Sequence, residues 1–426
     1  MSLHVESSGL LGTHVTWEDI EDEVRLSLAT EARFGENKTV TNISDMKGFM
    51  SRIALIEPDW TQDSEILPKK FVVKISSQLA LVAMSKMMKF GGEDGMEEEK
   101  MANFDKIVKL LHNREVETYK LLQRLEVQDF RIPFTKIYAM KKFSDENPLK
   151  AYIISEFIED LSHVSIYENI EIEDLLPIVR SVAAFSAIGE NISRDQLDFA
   201  GGADLLAQIL AEFCDEKLQE QSFATIRAGF PEEYREKVEE MLDVYRIYMN
   251  KKTIAKYEKV VEIIGHPPVL THGDLWSSNL LCTRTSEHRL KFRAIIDWQT
   301  VSIGSPGQDV GRLFVSTLST KNRREQLDFL LETYYLEFVR NLENPTKIPY
   351  TLEQLKKNYQ LLFPVMTTMV LPGIIPFLEL ACGIPEEQRA EIRKSALDKM
   401  IGMMEDVITT HAQNLIDFPE FFRDLL

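Results

Sequence analysis

The spacing of apolar residues changes character near residue 155. Before that point short runs alternate as strands do, and after it helical periodicity dominates. SRIALIEPDW (51–60) and KKFVVKIS (69–76) read as two strands joined by a polar turn. In FVVKI the alternation puts Phe71, Val73 and Ile75 on one face, with Val72 and Lys74 on the other. Thr16 and Asp19 have capping-box spacing, so a helix is expected to begin at Trp17. GGEDGMEEEK (91–100) is acidic and glycine-rich and reads as a surface insertion. AYIISEFIEDL (151–161) reads as a buried strand running into a short connector with Glu156 and Glu159.

Between Phe104 and Leu125 one inward stripe is marked by Phe104, Ile107, Val108, Leu111, Tyr119 and Leu122. Glu115 falls on that stripe, whereas Glu117 falls among Asn113, Arg114 and Lys120 on the expected wet face. An acid on a buried face needs a cationic partner, and Lys74 is the candidate. Otherwise Lys74 is a lysine on a solvated sheet face.

From residue 156 onward the chain reads as mainly helical, which divides it into 1–155 and 156–426. IEDLLPIVRSVAAFSAI (172–188) and PEEYREKVEEMLDVYRIYM (231–249), with Pro231 in a first turn, are long amphipathic helices. Two strands interrupt this region. VLTHGD (269–274) leads into a polar loop, LLCT (280–283) leaves it, and KFRAIID (291–297) follows a polar turn. A hairpin of that kind brings Asn279, at the start of one arm, beside Asp297, at the end of the other.

Composition narrows the classes. With 44% apolar residues in 426, the chain exceeds what a single core serves. Sixty-eight acidic against forty-nine basic residues leave a charge of -19, which argues against nucleic-acid or anionic-lipid partners. Cys214, Cys282 and Cys382 are isolated in apolar surroundings, the pattern of buried thiols in a reducing compartment. The N-terminal residues lack a signal-peptide pattern, so a cytoplasmic location is expected. Gln360 to Leu378 carries no charge, but three prolines and Gly373 make it an internal helix and turn rather than a membrane span.

The loop LTHGDLWSSNLL (270–281) carries the candidate chemistry. Asp297 and Asn279 offer a carboxylate and a neutral carbonyl to one cation. Magnesium suits such a pair, because it takes one or two protein oxygens and fills its octahedron with phosphate and water. Asp274 is then free to accept or orient the proton of an attacking hydroxyl while a phosphoryl group passes in line from ATP. The D-x-x-x-x-N spacing from Asp274 to Asn279, and an aspartate after an apolar strand, match the catalytic and metal-binding segments of kinases. His272 reads as a side chain that orients the loop, Asp309 as a cap for the helix that starts in SPGQDVGRL, and Trp298 as core. Trp276 and Trp298 otherwise shape a substrate pocket or a cationic cage.

THGDLWSSNLL (271–281) with AIIDWQ (294–299) resembles the signature shared by choline kinases, aminoglycoside phosphotransferases and ecdysteroid-kinase-like small-molecule kinases. KGFMSRIALIEPDW (47–60) adds a likeness to the expanded choline-kinase-like families of nematodes and insects. The resemblance covers about residues 30 to 400. It implies an α+β, bilobal protein-kinase-like fold, with a sheet and a helix in the N-terminal lobe, a larger helical C-terminal lobe, and ATP between them. By analogy Lys74 holds the ATP phosphates and pairs with Glu115, and Gly48 and Glu156 complete the expected cofactor-binding set.

Three departures qualify this. Trp298 and Gln299 follow Asp297, so the glycine of a DFG is missing, and no APE segment follows, which points away from a protein substrate. The stretch over the phosphates, NISDMKGFMSRI, has Gly48 as its single glycine. Ser186 stands where relatives often have histidine. The expected function is an ATP- and magnesium-dependent kinase acting on a small-molecule hydroxyl, with a nucleotide- or ligand-binding pseudokinase as the alternative. Choline or ethanolamine, a steroid-like alcohol and a glycoside all stay open as acceptors, as does the oligomeric state.

Overall fold

The computed structural model describes residues 2–44, 50–87, 98–126, 132–212, 216–287, 289–381 and 384–423. Two compact units are present, Met1–Asp160 and Leu161–Leu426. The architecture is α+β, with a sheet-rich first unit and a mainly helical second.

In the first unit, strands β1 (Thr39–Asn42), β2 (Ser51–Glu57), β3 (Phe71–Ser76), β4 (Ile137–Lys141) and β5 (Tyr152–Glu156) form one antiparallel sheet in the order β1-β2-β3-β5-β4. Helices α1 (Trp17–Leu28), α2 (Leu79–Met87) and α3 (Glu98–Glu126) complete it. The alternation in FVVKI is realised: Phe71, Val73 and Ile75 are fully buried with Ile20 and Val24 of α1 and Ile154 of β5. Thr16 and Asp19 form the expected capping box, which fixes where α1 starts. Lys74 lies on the other face of β3, between Ile53 and Ile153 of the neighbouring strands. Helix α3 starts at Glu98, earlier than expected, so the end of the 91–100 stretch is its first turn, in keeping with the helix propensity of Glu and Lys. Residues 91–97 lie outside the described residues.

The second unit contains α4 (Ile172–Asn191), α5 (Leu205–Glu212), α6 (Glu216–Gly229), α7 (Arg235–Tyr248), α8 (Lys251–Ile254), α9 (Val260–Ile264), α10 (Pro306–Thr317), α11 (Thr320–Arg340), α12 (Leu352–Thr368), α13 (Ile374–Leu380), α14 (Glu386–Asp417) and α15 (Pro419–Phe422). Pro231 opens a 3-10 turn ahead of α7. Two small antiparallel sheets lie among the helices. Strands β6 (Leu161–Ser162), β8 (Leu280–Arg284) and β9 (Leu290–Ile295) form one, in the order β6-β8-β9, and β7 (Val269–Thr271) pairs with β10 (Ser302–Gly304) in the other. Strands β6 and β10 escape sequence reading because two or three residues are too few to show a period of two.

Gly189 lets α4 approach β7 closely, since a Cβ there would meet the Leu270 Cβ at 2.7 Å. Residues Leu352–Leu380 are apolar enough and long enough, by composition, to cross a bilayer. The chain breaks there into α12, a 3-10 turn at Leu371–Gly373 and α13. Leu361, Leu362, Val365 and Met366 of α12 are buried in the unit's core. Pro364 deprives the Gln360 carbonyl of its helical donor, and Asn414 Nδ2 of α14 supplies one at 3.2 Å.

Candidate active site

In the first unit, Lys74 Nζ lies 2.6 Å from Glu115 Oε2, with Glu115 almost wholly buried and Lys74 partly open. Glu117 bonds Lys120 at 3.0 Å and Lys142 at 2.7 Å near the surface. Its expected wet-face company differs: Arg114 is buried, and Asn113 brackets the backbone N–H and carbonyl of Phe143. Glu156 closes β5, where its carboxylate accepts from the Lys136 N–H at 2.9 Å and its own N–H donates to the Lys136 carbonyl. Gly48 lies outside the described residues. His112, one turn before Glu115 on α3, is buried on the Lys74 side of β3. Its Nδ1 meets Ser76 Oγ at 2.6 Å and its Nε2 meets the Lys141 carbonyl at 2.9 Å, and burial pushes its pKa down to about 4.

In the second unit, β7 ends at Thr271 and the chain turns through His272, Gly273 and Asp274. Gly273 has φ +88, and a Cβ there would meet the Thr300 carbonyl oxygen at 2.2 Å, so the turn requires glycine. His272 is buried and both ring nitrogens are engaged: Nε2 lies 3.0 Å from the Ile296 carbonyl, and Nδ1 accepts from the Asp274 N–H at 3.3 Å. The ring thus ties the turn to the chain just beyond β9. Trp298 is fully buried, with its ring 4.7 Å from Phe185 and 4.8 Å from His272.

One face of α10 grips this loop. Asp309 accepts from the N–H of His272 at 2.7 Å and of Gly273 at 2.9 Å, one oxygen to each. Gln308 Nε2 donates to the Gly273 carbonyl at 2.9 Å. Arg312 Nη2 lies 3.0 Å from Asp274 Oδ1, and Ser316 Oγ accepts from the Ser277 N–H at 3.1 Å. The expected cap role of Asp309 is therefore corrected. Ser305 caps α10 through the Gly307 N–H, and Asp309, four positions on, is too far into the helix to do so. Burial raises the Asp309 carboxyl above its ordinary value, opposed by His272 and the two backbone N–H groups. Gln308, Arg312 and Ser316 were missed by sequence reading, although polar residues at helical spacing in QDVGRLFVS are the available signal.

The β8–β9 hairpin pairs Leu280 with Ile295, and the Ile296 N–H donates to the Asn279 carbonyl at 3.0 Å. Asn279 and Asp297 thus follow from the two adjoining ends of one hairpin. Asn279 Nδ2 donates to the Asp274 carbonyl at 2.8 Å, which leaves its Oδ1 as the amide's acceptor. Asp297 takes a left-handed conformation, φ 65, with Gln299 Nε2 3.3 Å from Oδ2. Among the described residues no group of three or more His, Cys, Asp or Glu could hold a metal. Two hard oxygen donors at one hairpin end fit magnesium that arrives with phosphate and water ligands of its own.

Residues 3–415 match the model of the DUF1679 family, described as "Uncharacterized oxidoreductase dhs-27", and the chain belongs to that family. Its own residues give the oxidoreductase wording no support. The sequence contains no G-x-G triplet and the described strands pair antiparallel, whereas the usual dinucleotide fold needs a glycine-rich turn in a parallel sheet. An uncharacterized kinase-like protein of Caenorhabditis elegans, D1044.1, is 29% identical over 158 residues, covering 35% of this chain and 40% of that relative. The match thus spans less than half of the relative's length. Among solved structures, choline kinase from Cryptosporidium parvum is 13% identical with a TM-score of 0.43, covering 94% of this chain and 100% of that one. The microcompartment-associated aminopropanol kinase is 11% identical with a TM-score of 0.41, covering 91% and 98%. The GDP complex of aminoglycoside 2'-phosphotransferase-IIIa is 12% identical with a TM-score of 0.41, covering 93% and 99%.

Proposed function

We propose that the protein is a magnesium-dependent kinase that transfers the γ-phosphoryl group of ATP to a hydroxyl of a small molecule. The observation that carries this reading is the loop on α10, which fixes Asp274 and Asn279 while the hairpin ties Asn279 to the residue before Asp297. Asp274 Oδ1 is held by Arg312 at 3.0 Å, and Oδ2, which the Asn279 amide approaches at 3.5 Å, is the oxygen assigned to accept the acceptor's proton. The hydroxyl oxygen then bonds phosphorus as the bond to the leaving ADP breaks. Asn279 and Asp297 are the residues that would hold magnesium, whose charge would offset that of the phosphates. Lys74, oriented by Glu115, is assigned to the ATP phosphates.

The acceptor is a small molecule in this reading. The buried, unpaired Cys282 thiol, pushed up to about 11 by burial, accords with a cytoplasmic enzyme. The test is transfer from labelled ATP, with magnesium, to a panel of hydroxylated metabolites by wild type and Asp274→Asn. Transfer by wild type, falling by at least about a hundredfold in the variant, is expected. Equal activity of the two proteins would overturn the role of Asp274. Metal-dependent ATP binding without transfer to any acceptor would instead identify a nucleotide-binding scaffold.

A further inference from the structure

Arg312 alters what the site can accept. Its guanidinium carbon lies 5.7 Å from the centre of the Trp276 ring, and its Nη2 lies 3.0 Å from Asp274 Oδ1. An aromatic face and a carboxylate are the two groups that would hold the charge of an ammonium alcohol. Here a built-in cation already sits on both. The other tryptophan next to the loop, Trp298, is wholly buried and offers no second cage.

The Arg312 side chain is 10% exposed, and Nε and Nη1 find no partner among the described residues. Buried guanidinium donors are normally used, and their planar fork matches a carboxylate or phosphate. We propose that Arg312 is a specificity-determining residue, and that the acceptor is a hydroxyl compound bearing an anionic group rather than an ammonium. This rests on the reading of Asp274 as the group that faces the acceptor hydroxyl. A lone like charge within about 6 Å at an effective dielectric near 20 lowers affinity by about a hundredfold, and the Asp274 carboxylate beside Arg312 offsets part of this, so about a hundredfold is the upper bound of the discrimination.

The test uses the full chain with magnesium and a non-hydrolysable ATP analogue, so that the nucleotide site is filled. Glycerate, glycerol phosphate, choline and ethanolamine are titrated by calorimetry. At least one of the two anions should bind, and both ammonium alcohols should bind more weakly, by up to about a hundredfold, or not at all. Arg312→Gln should weaken the anion by about a hundredfold, and Arg312→Lys, which keeps the charge but loses the fork, by about tenfold. Three results would overturn the proposal: choline or ethanolamine binding more tightly than both anions, neither anion binding at millimolar concentration, or anion binding unchanged in both variants. Phosphoryl transfer is assayed separately. The expected binding pattern without transfer sinks the kinase reading alone, and efficient transfer to ethanolamine sinks the specificity alone.

Discussion

Replacing Asp309 by Asn tests whether α10 sets the geometry of the loop. The carboxylate takes one N–H on each oxygen, from His272 at 2.7 Å and Gly273 at 2.9 Å. An amide keeps one of these bonds and turns an NH2 toward the other N–H, leaving a buried donor unsatisfied. A hydrogen bond to a charged acceptor contributes about 1.5–3 kcal/mol, and the orphaned donor adds a cost of similar size. Against this, the neutral side chain no longer carries the burial cost that raises the Asp309 carboxyl above its ordinary value. A net loss of about 3 kcal/mol is expected, most of it local to the turn. Hydrogen exchange at the His272 and Gly273 amides should accelerate by about a hundredfold, while buried amides of the first unit keep their rates. Phosphoryl transfer should fall by about a hundredfold if the loss moves Asp274 by about 1 Å. Unchanged protection at these two amides would refute the claim that Asp309 holds the turn, whatever happens to activity.

Three further outcomes are expected. Glu115→Gln leaves the Lys74 ammonium without its carboxylate, and should cost about 3 kcal/mol in denaturant unfolding and weaken ATP binding; wild-type ATP affinity would remove Lys74 and Glu115 from the nucleotide site. His112 is held neutral, with its pKa near 4 in the folded protein. As pH falls from about 6.5 to about 4 the unfolded chain takes up a proton that the folded chain refuses, so stability should drop by up to about 3 kcal/mol. His112→Gln should lack that part of the pH dependence, and parallel stability curves for the two proteins would contradict it. Gly273→Ala sets a Cβ against the Thr300 carbonyl at a positive φ, and should lower the thermal midpoint by several degrees, equivalent to about 2 kcal/mol or more; a wild-type midpoint would show that the turn relaxes freely.

Features encoded by local periodicity were legible in the sequence. The alternation in FVVKI separates Lys74 from the buried Phe71, Val73 and Ile75, and the stripe on α3 picks out Glu115 over Glu117. The hairpin follows from turn residues between apolar runs, and it brings Asn279 next to the strand that ends before Asp297. Arg114 was misassigned because helix α3 buries more than one stripe, so a polar residue off the main face is not thereby wet. The error over Asp309 has another cause. A polar residue near a helix start reads as a cap until one knows that the helix lies beneath a loop more than thirty positions earlier in the chain. The same long-range contact hides Arg312, since nothing local to GRLF reports a carboxylate at 274.

The grip of α10 on the loop also says how the site tolerates change. Residues 308, 309, 312 and 316 meet 272, 273, 274 and 277, so a regular helix, rising about 1.5 Å per residue, supports an irregular turn up to the 3-10 turn that starts at Ser277. Single substitutions on this face remove one support at a time. Inserting or deleting one residue between Asp309 and Arg312 would rotate the later supports by about 100° and detach Arg312 and Ser316 together. Length variation should therefore be far more damaging in this helix than in the β8–β9 turn, where the connection can lengthen without disturbing either strand end.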